Sequence, residues 1–105
     1  MKKEDLIFPL TAEAYIAYQE AGAGWEFGKN MREAIEAWLP VFNNSYEEGK
    51  CGDRQALFDS IKSLDEFISR SKDEPILHDF LSVCKMWVCY AWTRGNDNAG
   101  KAVGA

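Results

Sequence analysis

Apolar positions recur at helical spacing in four blocks, and the last block is the clearest. Over 75–94, PILHDFLSVCKMWVCYAWTR, Tyr90, Val83, Ile76, Trp87, Phe80, Ala91, Cys84, Leu77, Val88, Leu81 and Trp92 fall on one continuous arc of about 200°. His78, Asp79, Ser82, Lys85, Met86, Cys89 and Thr93 share the remainder. A helix of this kind is expected at the centre of a bundle, touching neighbours on two or three sides. Pro75 suits a first helical turn, and Asp73 and Glu74 precede it where the helix dipole favours negative charge. Arg94 and Gly95 supply a cation and a C′ glycine, which predict the end of the helix there. Asp79 and Lys85 break the run, whereas a membrane span needs about 20 apolar residues in succession.

The three earlier blocks are shorter. After a lead-in whose Leu6-Ile7-Phe8 run is expected to pack on the bundle, with a short edge strand as the alternative, Thr11 reads as an N-cap. Leu10 and Tyr15 form a hydrophobic staple around it. The first helix is predicted over 11–22, with Ala14, Tyr15, Ala17, Tyr18 and Ala21 facing inward. Ile16 falls on the other side with Glu13, Gln19 and Glu20 and is expected at the surface. Residues 22–29, GAGWEFGK, contain three glycines and end helical propagation. Trp25 and Phe27 within them are expected to plug one end of the bundle, with a recognition loop as the alternative.

Asn30 and Glu33 form a capping-box pattern for a second helix over 31–48. Met31, Ala34, Ile35, Trp38, Leu39, Val41, Phe42, Ser45 and Tyr46 share an arc of about 160° whose phase persists through Pro40. An interior proline costs a helix about 3 kcal/mol, but this one lies on the polar side, where a bend is tolerable. One helix kinked at Pro40 and ended by Gly49 is therefore predicted. Asp53 caps a third helix over 53–71, with Leu57, Ile61, Leu64, Phe67 and Ile68 as its buried stripe beside Ala56 and Ser60. Phe58 projects instead among Arg54, Lys62, Asp65 and Ser69. The pattern as a whole predicts an all-α fold, a small four-helix bundle forming a single domain over 1–94. Residues 95–105, GNDNAGKAVGA, have little to bury and are expected as a flexible tail.

A chain of 105 residues is long enough to bury roughly 65% of its unfolded surface. Seventeen acidic residues against twelve basic give a net charge of −5. With no Lys/Arg cluster, that balance opposes direct binding to nucleic acid or an anionic membrane, while favouring a partner with a basic surface. Three cysteines is an odd number, and no signal-peptide pattern precedes them, so free thiols and a cytoplasmic location are expected.

Several constellations invite a catalytic reading and fail on geometry. His78 and Cys89 lie on one helical strip, but eleven residues at 1.5 Å each separate them by about 16 Å, far beyond hydrogen-bond reach. Cys84 falls within the apolar arc and reads as a small core residue. Cys51, in a turn, has no neighbour in sequence that would tune its thiol. The glycines of 22–29 follow a helix and lack the GK[ST] of a phosphate loop, and Glu26 stands where an anion would approach. No spacing of Cys and His matches a structural metal site, and no cofactor is expected.

What remains points to a non-enzymatic protein–protein interaction module: a small acidic inhibitor or neutraliser that blocks a surface on another protein. Bacterial immunity proteins, antitoxins and phage anti-defence proteins, including anti-CRISPR proteins, share this character, an analogy of class and not of motif. The candidate partner-binding residues are the acidic Glu33, Glu36, Glu47, Glu48 and Asp65 and the apolar Ile16, Trp25, Phe27 and Phe58, anchors rimmed by charge. The alternative is a ligand-binding bundle whose pocket is lined by Trp38, Tyr46, Phe80 and Trp87, with His78 at its mouth.

Overall fold

The computed structural model describes residues 2–104, with side-chain surroundings for 2–99. A short 3-10 turn over Lys3–Asp5 precedes four α-helices: α1 (Ala12–Ala23), α2 (Lys29–Lys50), α3 (Arg54–Arg70) and α4 (Pro75–Gly104). No strand occurs among the described residues, and the all-α class follows the helical periodicity of the sequence. The chain divides into two compact units, 1–43 and 44–105.

In the first unit, Thr11 caps α1 through its side chain, which accepts from the Ala14 amide at 3.2 Å. Leu10 and Tyr15 are both buried, as a staple requires. The backbone of Leu10 is bonded twice to Asn43: its amide donates to Oδ1 at 2.7 Å, and its carbonyl accepts from Nδ2 at 3.1 Å. Tyr15 packs on Phe42 with ring centroids 5.6 Å apart. The face of α1 differs from the expected one. Tyr15 and Ile16 are buried, Ile16 at 6% exposure, whereas Ala17 and Ala21 are exposed. Alanine is spread around most of this helix and fixes no stripe, so the two largest consecutive apolar side chains decide which side turns inward.

α2 is continuous through Pro40, which is exposed on its polar side. It begins at Lys29, so Asn30 lies in its first turn, and it passes through Gly49 to end at Lys50. Ile35, Leu39, Phe42 and Ser45 are buried along the predicted arc.

In the second unit, Asp53 caps α3, its Oδ1 accepting from the Ala56 amide at 3.0 Å, and Pro75 opens α4. α3 and α4 pack together as a hairpin, with Leu64, Leu81, Cys84, Trp87, Val88, Ala91 and Trp92 buried. Gly49 and Gly95, expected to terminate helices, are instead buried inside them. An added methyl on Gly49 would fall on the backbone of Trp92, and one on Gly95 on the carbonyl of Tyr46. The last turns of α2 and the middle of α4 thus cross backbone to backbone, which only glycine permits. Residues 95–99, expected in a flexible tail, continue α4 for the same reason and are tied down by two further bonds. Asn96 Nδ2 donates to the Gly49 carbonyl at 3.2 Å, and Asn98 Nδ2 donates to the Tyr46 hydroxyl at 2.8 Å. The side chains of 100–105 lie outside the described residues.

Candidate interaction surfaces

The nine residues singled out from the sequence divide between the two units. Ile16, Trp25, Phe27, Glu33 and Glu36 belong to the first, and Glu47, Glu48, Phe58 and Asp65 to the second. Ile16 is removed from any surface by its burial.

Trp25 is not a plug. It is 58% exposed and sits edge-on against the half-buried Phe27, ring centroids 4.8 Å apart at 64°. The loop that carries the pair is held by a clasp the sequence pattern does not reveal. The Glu20 carboxylate accepts from the Phe27 amide at 2.6 Å and from Arg32 Nη2 at 2.9 Å, while Arg32 Nε donates to the Phe27 carbonyl at 3.0 Å. Glu20 closes α1 and Arg32 opens α2, so the two helices hold both backbone groups of Phe27 through charge-assisted bonds. Glu33 and Glu36 are exposed on α2 just beyond the clasp. Glu33 makes one long contact, 3.9 Å, with Lys29 across a turn.

In the second unit Glu47 is exposed and lies 3.6 Å from Lys50. Glu48 is half-buried, and its carboxyl is pushed above the usual range first by burial and then by the negative charge of Asp53. Asp65 is bonded to Lys85 of α4 at 2.6 Å. Phe58 is 59% exposed, as its place among charged side chains predicts. It borders an open depression of about 580 Å³ lined by Phe58, Ile61, Lys62, Asp65, Glu66, Ser69 and Arg70. None of these belongs to the aromatic set proposed for a ligand pocket; within that set Trp87 is buried and stacks edge-on against Tyr90 at 5.5 Å.

The structure adds exposed apolar side chains, all but Met86 of which helical periodicity alone turns inward. Ile76 is 80% exposed and Met86 62%, and Phe67, Leu77 and Val83 are exposed as well. Phe67 lies about 60° round α3 from the buried Leu64, which takes it off the line of contact with α4. Ile76, Val83 and Met86 lie on the side of α4 turned away from the Leu81 and Val88 that pack inward. The width of the α4 arc carried the signal, because about 200° of apolar surface is more than one neighbouring helix covers.

The cysteines behave as a core residue and two others. Cys84 is buried and free, and burial pushes its thiol up to about 12. Cys51 is exposed and Cys89 half-buried. Among the described residues no group of three or more His, Cys, Asp or Glu is placed to hold a metal ion, and no helix is long and apolar enough to cross a membrane. No family model, no curated protein and no solved structure matches this chain.

Proposed function

We propose that this chain is a non-enzymatic protein–protein interaction module, an acidic inhibitor or neutraliser that works in the cytoplasm by covering a surface of its target. The observation that carries the reading is the uncovered apolar side of α4 formed by Ile76, Val83 and Met86, with Leu77 and Phe67 exposed elsewhere on the α3–α4 hairpin. Single exposed apolar residues are ordinary on proteins. Three large ones sharing one side of α4 are a different matter, because leaving such a surface in water is unfavourable at about 25 cal/mol per Å² and a partner removes that cost. Methionine and branched aliphatic side chains adapt to an opposing surface, and Asp73, Glu74 and Asp79 give this end of the hairpin an acidic rim. The reading places the chain with immunity proteins, antitoxins and phage inhibitors of host defence in manner of action, that is, steric blocking.

The test is site-resolved photo-crosslinking in producing cells. A photoreactive amino acid at Ile76 or Met86 is expected to give a discrete protein adduct, while the same group at exposed Gln55, near the start of α3, gives none. Adducts of equal yield at all three positions, or none at Ile76 and Met86, would overturn the reading.

A further inference from the structure

We propose that the clasped loop of the first unit is a second docking surface, and that its occupant is a basic protein presenting an arginine to the face of Trp25. The proposal shares the general reading of an interaction module but is independent of the α3–α4 face.

Three observations support it. The first is preorganisation. Trp25 is 58% exposed, and the backbone two residues on is held at both its amide and its carbonyl, at Phe27, by Glu20 and Arg32. A tryptophan beside a held backbone gives a binding partner a large contact area with less ordering entropy to lose than one on an unanchored loop. The second is geometry. Phe27 meets Trp25 at 64°, edge to face, and Trp25 retains more than half of its surface, room for a planar group to stack.

The third is charge. Glu20, Glu26, Glu33 and Glu36 outnumber Lys29 and Arg32 in this stretch. Glu20 is committed to Arg32 at 2.9 Å, which leaves Glu26, Glu33 and Glu36 against Lys29 alone. The N-terminus of α2 contributes about half a positive charge, too little to reverse that balance. An anionic ligand would meet net repulsion here, whereas a cation gains both the ring face and the carboxylates. Arginine is favoured over lysine because a guanidinium is planar, stacks on indole, and forks onto carboxylates.

The experiment uses the full chain and three defined probes: deca-arginine, deca-lysine and deca-glutamate peptides, followed through the indole N–H signals of the four tryptophans. W25F assigns the Trp25 signal by its loss. Deca-arginine is expected to move that signal more than deca-lysine at equal concentration, and deca-glutamate to leave it in place. W25L is expected to weaken deca-arginine binding about two- to fivefold, the range of an exposed cation–π contact. The double variant E33Q/E36Q is expected to weaken it further and to flatten its salt dependence. Since Trp25 is exposed, W25L should keep the far-UV spectrum of the parent. Binding of deca-arginine that leaves the Trp25 signal unmoved, or that W25L does not weaken, would overturn the proposal. So would a Trp25 shift produced by deca-glutamate, or by raising protein concentration alone, the latter making a second copy the occupant. Crosslinking at Ile76 and Met86 reads the other surface, so failure here leaves that test standing and the reverse.

Discussion

Gly49 and Gly95 sit at a crossing where each helix occupies the space that the other's Cβ would need. A methyl at 49 meets the backbone of Trp92, and a methyl at 95 meets the Tyr46 carbonyl and approaches the Lys50 amide. Backbone cannot swing aside as a side chain does, so the cost falls in or above the usual overpacking range of about 1–3 kcal/mol. Gly49→Ala and Gly95→Ala are each expected to lower the melting temperature by roughly 4–8 °C per kcal/mol lost. Gly22, inside α1, has nothing within 4 Å of the place a Cβ would take. Gly22→Ala is expected to stabilise by about 0.5–1 kcal/mol through helix propensity. Thermal melts of the three variants separate a packing glycine from a merely tolerated one.

Trp92 ties the start of α3 to α4, its indole Nε1 donating to the Asp53 carbonyl at 3.0 Å. The Asp53 side chain meanwhile caps α3. The two roles use different atoms of one residue and separate by mutation. Asp53→Ala removes the cap and keeps the carbonyl, for an expected loss of about 1 kcal/mol. Trp92→Phe keeps an aromatic ring but removes the indole bond, leaving that carbonyl with only the 3.4 Å Leu57 amide, and removes buried volume, for an expected loss of about 2–4 kcal/mol. Urea midpoints of the two variants check the ordering.

These residues also show what is legible in the sequence. Local signals translate directly: Thr11 and Asp53 as caps, Pro75 as a first turn, the phase of α2 through Pro40, and Phe58 among charges. What fails are features set by neighbours the local pattern does not contain. A glycine after an amphipathic stretch reads as a stop, but a facing helix turns Gly49 and Gly95 into contacts. An apolar arc reads as buried, yet only a neighbour can bury it, and Ile76 and Val83 lack one among the described residues of the hairpin. Alanine-rich α1 has no strong stripe, so its pattern puts Ile16 on the wrong side. The Glu20–Arg32 clasp joins residues twelve apart in sequence through a loop, a separation at which charge pairing has no periodic signature.

Burial pushes the Cys84 thiol up to about 12 from a reference of 9.0, and the sign of its effect on stability follows. The folded state holds this proton more tightly than the unfolded state does. Its contribution is therefore fully present below pH 9 and is progressively lost as pH rises from about 9 towards 12. Cys84→Ala is expected to be less stable than the parent at pH 7 because of the cavity, with the gap narrowing above pH 9. Denaturant midpoints at pH 7 and pH 10.5 check this; a gap that stays constant would contradict it. In the native protein at pH 8, a thiol reagent is expected to modify exposed Cys51 first and Cys84 only after unfolding.

The clasp around Phe27 should matter more for order than for stability. Its ion pair is partly exposed, with Arg32 open to solvent and Glu20 less so, and such pairs are worth about 0–1 kcal/mol. Glu20→Ala is accordingly expected to shift the melting temperature only slightly. The same substitution leaves the Phe27 amide without its 2.6 Å acceptor and Arg32 with the Phe27 carbonyl alone, so one side of the loop is released. The heteronuclear NOE of the Trp25 indole N–H reads picosecond-to-nanosecond motion and is expected to fall in Glu20→Ala. Glu33→Gln serves as the control, since Glu33 touches Lys29 and not the loop, and it should leave that value unchanged. If the NOE stays high in Glu20→Ala, the stack of Trp25 on Phe27 orders the loop by itself; if it falls, rigidity of the tryptophan is a property conferred by α1 and α2, and affinity for a cationic partner should fall with it.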